Sequence, residues 1–247
     1  MKKEMLFIVA THGDEPIGLF AINKLVKKLD KFDWVVGNPQ ALIKNQRYID
    51  SDLNRSAPGS KNANQYEVAR AAELVALSNK YKYTIDIHGT KKPTGIFTII
   101  TKLSQANLEL ASRLDIERVV IWPSFSKELE GSISENVDCG IEIECGNKDD
   151  LVVMGELVDI LDKFLSVGLT TKNNWKEKMR NKETYLMVAS LKENSNFNVD
   201  KLREFETTSI DGESFVPLFI NSGYKERNGI ICYLAKKISL DEVANLF

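Results

Sequence analysis

The sequence predicts an α/β protein, with a mostly parallel mixed sheet covered by helices on both faces and a small β-rich C-terminal domain. Two observations carry this. Through roughly the first two-thirds of the 247 residues, short apolar runs alternate with amphipathic helical patterns, the spacing of a parallel sheet buried between helical layers. After about residue 170, strand-like runs separated by polar turns take over. The expected division is 1–168 and 169–247. With 43% apolar and 28% charged residues, the chain can build a core without disulfides.

Met5–Ala10 is a short apolar run and reads as a buried strand. Pro16–Leu29 follows as a helix, with Ile17, Phe20, Ala21 and Leu25 on its apolar side. Pro16 suits the first turn, where a missing N–H costs nothing. Trp34–Val36 is a strand closed by the Gly37-Asn38-Pro39 turn signal. A polar loop spans roughly Asn45–Asn62, and Gln65–Ser78 is a helix with Val68, Ala71, Ala72, Val75 and Ala76 along one side. Strands are expected at Thr84–Ile87, Gly95–Thr101, Arg118–Trp122 and Ile141–Glu144, and helices at Ser104–Arg113 and Leu151–Val167. The C-terminal strands are Thr184–Leu191, Phe215–Ile220 and Ile230–Ala235.

Charge excludes some functions. Thirty-three basic residues stand against 35 acidic ones, a net charge of −2, so no concentrated basic surface points to nucleic acid or membrane. Three cysteines, with no close metal-finger spacing, read as reduced thiols in a cytoplasm. The apolar run after Met1-Lys2-Lys3 is too short for a secretory leader, and no stretch approaches the ~20 apolar residues of a membrane span. A cytoplasmic protein with a small-molecule partner is expected, and self-association stays open.

The only two histidines both follow strands: His12 in Thr11-His12-Gly13-Asp14-Glu15 and His88 in Asp86-Ile87-His88-Gly89-Thr90. Ligand sites of open α/β sheets gather beyond the carboxyl ends of the strands. Glu15, three residues after His12, can join both histidines at one metal, and two His plus a carboxylate is a catalytic zinc set. Arg47 to Arg55 places two arginines and Asn54 in one loop, and arginine forks suit carboxylates and developing oxyanions. In Gly140-Ile141-Glu142-Ile143-Glu144-Cys145-Gly146 the two glutamates share a strand face. Acidic residues in a buried strand pair or do chemistry; Glu144 is placed for proton transfer, and Glu142 as its supporting partner.

These motifs, in this order, resemble the succinylglutamate desuccinylase/aspartoacylase family of the zinc carboxypeptidase superfamily. Pro217–Asn221 followed by Tyr224 resembles the family's C-terminal segment more weakly. The resemblance implies a zinc carboxypeptidase-like fold and one zinc per chain held by His12, Glu15 and His88. It implies Glu144 as general acid/base, Arg47 as the group polarising the scissile carbonyl, and Asn54, Arg55 and Tyr224 as substrate contacts. Three positions depart from the pattern. Residues 130–135 carry no arginine, where aspartoacylase-like members have one about ten residues before the general base. Asp14 stands where many have Asn, and Ala57 where a large aromatic is usual. The expected activity is zinc-dependent removal of an acyl group from an N-acyl amino acid or related small amide. A zinc carboxypeptidase acting on peptides and a non-catalytic zinc- or ligand-binding module are the alternatives.

Overall fold

Strand β1 (Met5–Val9) is buried along its whole length and divides its side chains between two cores. Met5, Phe7 and Val9 pack on one face of the sheet, and Leu6 and Ile8 on the other. This period-2 split is why the strand reads as a continuous apolar run. The computed structural model describes residues 3–123, 130–167, 169, 173–193, 199–222 and 229–246.

Helix α1 (Ile17–Lys24) follows, then β2 (Phe32–Val36), α2 (Pro39–Lys44), α3 (Tyr66–Ser78) and β3 (Tyr83–Thr90). Next come β4 (Phe97–Ile100), α4 (Gln105–Arg113), β5 (Arg118–Ile121), β6 (Gly140–Asn147) and α5 (Leu151–Val167). The chain ends with α6 (Trp175–Arg180), β7 (Glu183–Lys192), β8 (Thr208–Ile210), β9 (Glu213–Leu218), β10 (Ile230–Ile238) and α7 (Leu240–Ala244).

The strand order is β2-β1-β3-β6-β4-β5-β7-β10-β9-β8. Pairs β1–β2, β1–β3, β3–β6, β4–β5 and β5–β7 are parallel, whereas β4–β6 and the links from β7 to β8 are antiparallel. The sheet is therefore the mixed α/β type the sequence predicts. β2 and β3 flank β1 on opposite sides, so chain direction along the sheet reverses there. A crevice opens at such a switch point, beyond the strands' carboxyl ends.

One core holds Ile17, Ala21 and Ile22 of α1 and Leu157, Leu161 and Phe164 of α5 against Phe7, Ile87, Ile141 and Ile143. The opposite core seats Ala71 and Leu74 of α3 on Leu6 and Ile8. Burying such a side chain contributes about 1.5–3 kcal/mol. A third cluster joins Phe97, Ile99, Val120 and Trp122 to Tyr185, Met187, Leu218 and Tyr233. A small fourth one, built around Leu191, Leu202, Cys232 and Leu234, draws only on C-terminal residues.

Several elements differ from expectation. α1 stops at Lys24 because Leu25 leaves the helical region (φ −93°, ψ 17°), and a single 3₁₀ turn covers Val26–Lys28. Phe20, expected on the apolar side, is 50% exposed. Asn38-Pro39 starts a helix as well as ending a strand: Asn38 Oδ1 accepts from Ala41 N, and Pro39 fills the first helical position. Along α3 the buried positions are Glu67, Ala71, Leu74 and Ser78; of the expected side Ala71 is buried, Val68, Ala72 and Val75 are half-buried, and Ala76 is exposed. α6 and β8 lie in stretches too polar or too short to announce themselves.

Candidate active site

Adjacent parallel strands deliver the two histidines. Val9 of β1 pairs with Ile87 of β3, and His88 in turn pairs with Glu144 of β6. His12, His88 and Glu144 therefore emerge side by side at one end of three neighbouring strands. The turn carrying His12 passes close over α2. A Cβ on Gly13 would lie 2.1 Å from the Ala41 backbone, so glycine is required there. Gly13 N donates to Arg47 O at 3.2 Å, tying that turn to the arginine loop.

His12 Nδ1 lies 3.0 Å from Glu15 Oε2, and His88 Nδ1 lies 3.3 Å from both. This triangle of buried donor atoms could hold a metal ion. The opposite ring nitrogens lie beside carboxylates: His12 Nε2 is hydrogen-bonded to Asp52 Oδ1 at 2.9 Å, and His88 Nε2 is 3.0 Å from Asp86 Oδ2, an ion-pair distance without hydrogen-bond alignment. With Nε2 protonated toward an aspartate, each Nδ1 turns a lone pair toward the shared centre. That is the outer support metal-binding histidines ordinarily have. Asp86 is itself fixed by Thr11 Oγ1, which donates to its carboxylate at 2.8 Å.

Electrostatics follow the packing. Burial opposes charge on Glu15, yet His12, His88 and Arg47 hold its carboxyl well below the usual range. Burial likewise opposes charge on His88, and Asp86 and Glu15 override it, holding the imidazole well above its usual value. Glu144 is the reverse case: burial, then Glu15, push its carboxyl up to about 8. Its Oε1 is buried with no hydrogen-bond partner among the described residues.

The arginine loop is organised from behind. Glu67, completely buried on α3, accepts from Asn38 Nδ2 and from the backbone N–H of Ile49, Asp50 and Ser51 at 2.6–3.2 Å. Burial works against its charge, but these donors hold its carboxyl below the ordinary value. Arg47 then donates to Glu15 Oε1 and to Asp52 Oδ2. Asn54 and Arg55 sit in a 3₁₀ turn capped by Asp52. Asn54 Nδ2 donates to Glu142 Oε1 at 3.3 Å, and Asn54 Oδ1 accepts from Ile133 N at 3.2 Å.

A cleft of about 470 Å³ opens over these groups. His12, Glu15, His88, Arg47, Asn54, Arg55, Glu142 and Glu144 line it together with an apolar wall of Ile99, Trp122 and Phe219. Of the eight residues given site roles by the resemblance, seven thus meet at one cleft, joined by Glu142. The eighth, Tyr224, lies outside the described residues. Sequence reasoning missed the roles of Asp52, Asp86 and Glu67. Asp86 was detectable, because residues two apart on a strand share a face. The Trp122–Phe219 wall, whose rings lie 5.2 Å apart, carried no local signal.

Solved structures share this architecture over nearly the whole chain. An E177A mutant of murine aminoacylase 3 superposes with a TM-score of 0.71 at 18% identity, covering 96% of this chain and 94% of that one. Succinylglutamate desuccinylase from Chromobacterium violaceum gives 0.70 at 17%, covering 96% and 85%. These establish the zinc carboxypeptidase-like fold class. The chain belongs to the succinylglutamate desuccinylase/aspartoacylase family, whose catalytic-domain model matches residues 2–166. A probable aspartoacylase of Prochlorococcus marinus subsp. pastoris is 32% identical over 158 residues, 59% of this chain and 54% of that protein. One from Trichodesmium erythraeum is 26% identical over 194 residues, 68% and 65% respectively. The match to the curated relatives thus spans about half to two-thirds of their length.

Proposed function

We propose that this chain is a zinc-dependent amidohydrolase that removes the acyl group from an N-acyl amino acid or related small amide. The observation that carries the reading is the convergence of His12 Nδ1, His88 Nδ1 and Glu15 Oε2 at 3.0–3.3 Å, with an aspartate behind each imidazole. The donor set fits one zinc per chain, since two imidazoles and a carboxylate leave a coordination position for chemistry. Bound there, zinc supplies Lewis acidity and a nucleophile available near neutral pH.

The chain's own residues supply the rest. Glu144 takes a proton from the attacking water and returns it to the departing nitrogen. Its elevated affinity for protons and its unpaired Oε1 suit a group that must both accept and release one. Arg47, steadied by Glu15 and Asp52, polarises the scissile carbonyl and balances its developing charge. Asn54 and Arg55 hold the substrate's carboxylate. Tyr224 is assigned a substrate contact from sequence alone. Among the described residues no helix is long and apolar enough to cross a membrane. The three buried, unpaired cysteines support a reducing, cytoplasmic setting.

Amine release from a panel of N-acyl amino acids and short peptides, with and without chelator, tests the assignment. Chelator-sensitive deacylation of the acyl amino acids is expected. Faster trimming of peptides would reassign the chain as a carboxypeptidase, and tight zinc binding without turnover would make it a binding module.

A further inference from the structure

Two carboxylates of the cleft take no part in the reaction above, Asp14, which pairs with Lys148, and Glu142. Glu142 is 6% exposed and lines the same cleft as Glu144. One oxygen, Oε1, accepts from Ser134 Oγ at 2.7 Å and from Asn54 Nδ2 at 3.3 Å. No hydrogen bond engages Oε2 among the described residues, so this oxygen of a largely buried carboxylate is left available to a ligand in the cleft. An acceptor in so little-solvated a corner gains from a ligand donor. Residues 130–136, which pack against this corner through Ser134, contain no lysine or arginine. Two cations of the cleft are engaged, Arg47 with Glu15 and Asp52, and Lys148 with Asp14.

We propose that Glu142 sets substrate specificity by accepting a hydrogen bond from an amine, guanidine or amide at the end of the substrate's amino-acid side chain. The inference rests on the amidohydrolase reading. It assigns the group to the amino-acid half because Glu142 bonds Asn54, the residue proposed to hold that half's carboxylate. A substrate carboxylate at the same place would meet Glu142 oxygen to oxygen and be rejected by like charge.

Two measurements test this separately from turnover. The first compares kcat/KM for Nα-acetyl-ornithine, Nα-acetyl-glutamine, Nα-acetyl-norvaline and N-acetyl-glutamate. The second measures binding of the free amino acids ornithine, glutamine, norvaline and glutamate by calorimetry, which needs no hydrolysis. Ornithine and glutamine forms should lead glutamate at least tenfold in both. Glu142→Gln retains an oxygen for Ser134 and Asn54 but turns the free acceptor into a donor. The ornithine preference should then collapse and glutamate should gain, while norvaline stays within about twofold. A purely structural role would depress all four together. Glutamate bound as well as ornithine by the wild type, an unchanged ranking in Glu142→Gln, or binding of none of the four would overturn the proposal. Failure of turnover with the binding order intact would instead remove the hydrolase reading alone.

Discussion

Glu144 combines burial, a bare oxygen and an elevated pKa, a costly arrangement unless the group transfers protons. Glu144→Gln should lose about 10²–10⁴-fold in kcat, the usual worth of general acid–base catalysis, with zinc content unchanged; steady-state kinetics beside metal analysis checks both. The same residue shapes stability in the metal-free protein. Its folded pKa of about 8 exceeds the ordinary 4.5, so the folded state holds the proton more tightly. The associated stability is full below about pH 4.5 and is lost as pH rises toward 8. Urea midpoints of metal-free wild type should therefore fall across that window more steeply than those of Glu144→Gln; parallel curves would contradict the burial. For the metal ligands, the histidine positions were legible because each stands at a strand's end. Asp52 and Asp86 were not recognised as partners, since pairing them with imidazoles requires knowing which strands lie side by side. Asp86→Asn and Asp52→Asn should each weaken zinc binding about 10–100-fold, read by competition with a chelating dye.

At the scale of elements, α3 matters more for the loop it holds than for its apolar face. Glu67 lies outside the apolar side expected of the helix, yet it collects four donors, three of them from residues 49–51. Nothing local distinguishes such a glutamate from a surface one, because its partners come from 16 to 29 residues away. Glu67→Ala should destabilise the fold by about 1.5–3 kcal/mol, as for lost hydrogen bonds to a charged group, measured by denaturant unfolding. Substrate KM should rise as well, because Asn54 and Arg55 lie just beyond the loosened segment. An unchanged KM would show that the 3₁₀ turn keeps its place without Glu67. Helix α2 was hidden for a related reason: Asn-Pro is both a turn signal and a helix start, and only the packing of Ala41 decides.

For the whole molecule, alternating strands and helices sufficed to predict the sheet, whereas the antiparallel insertion of β4 beside β6 leaves no trace in hydrophobic pattern. The cleft's apolar wall was equally silent. It joins Ile99 of β4 and Trp122 after β5 to Phe219, whose backbone adopts φ +57°, a rare conformation for a bulky residue. We keep the boundary at 168/169 as a proposal, supported by the core of C-terminal residues around Leu191, Leu202 and Leu234. Hydrogen exchange should show β8–β10 opening before β1–β6; uniform protection would argue for one cooperative unit. The account depends above all on the metal. Gently purified wild-type protein analysed by mass spectrometry should carry about one zinc per chain, as a three-ligand site predicts, and His88→Ala should carry none. Wild-type protein that takes up no zinc even after reconstitution would contradict the assignment of His12, Glu15 and His88 and the hydrolase built on them.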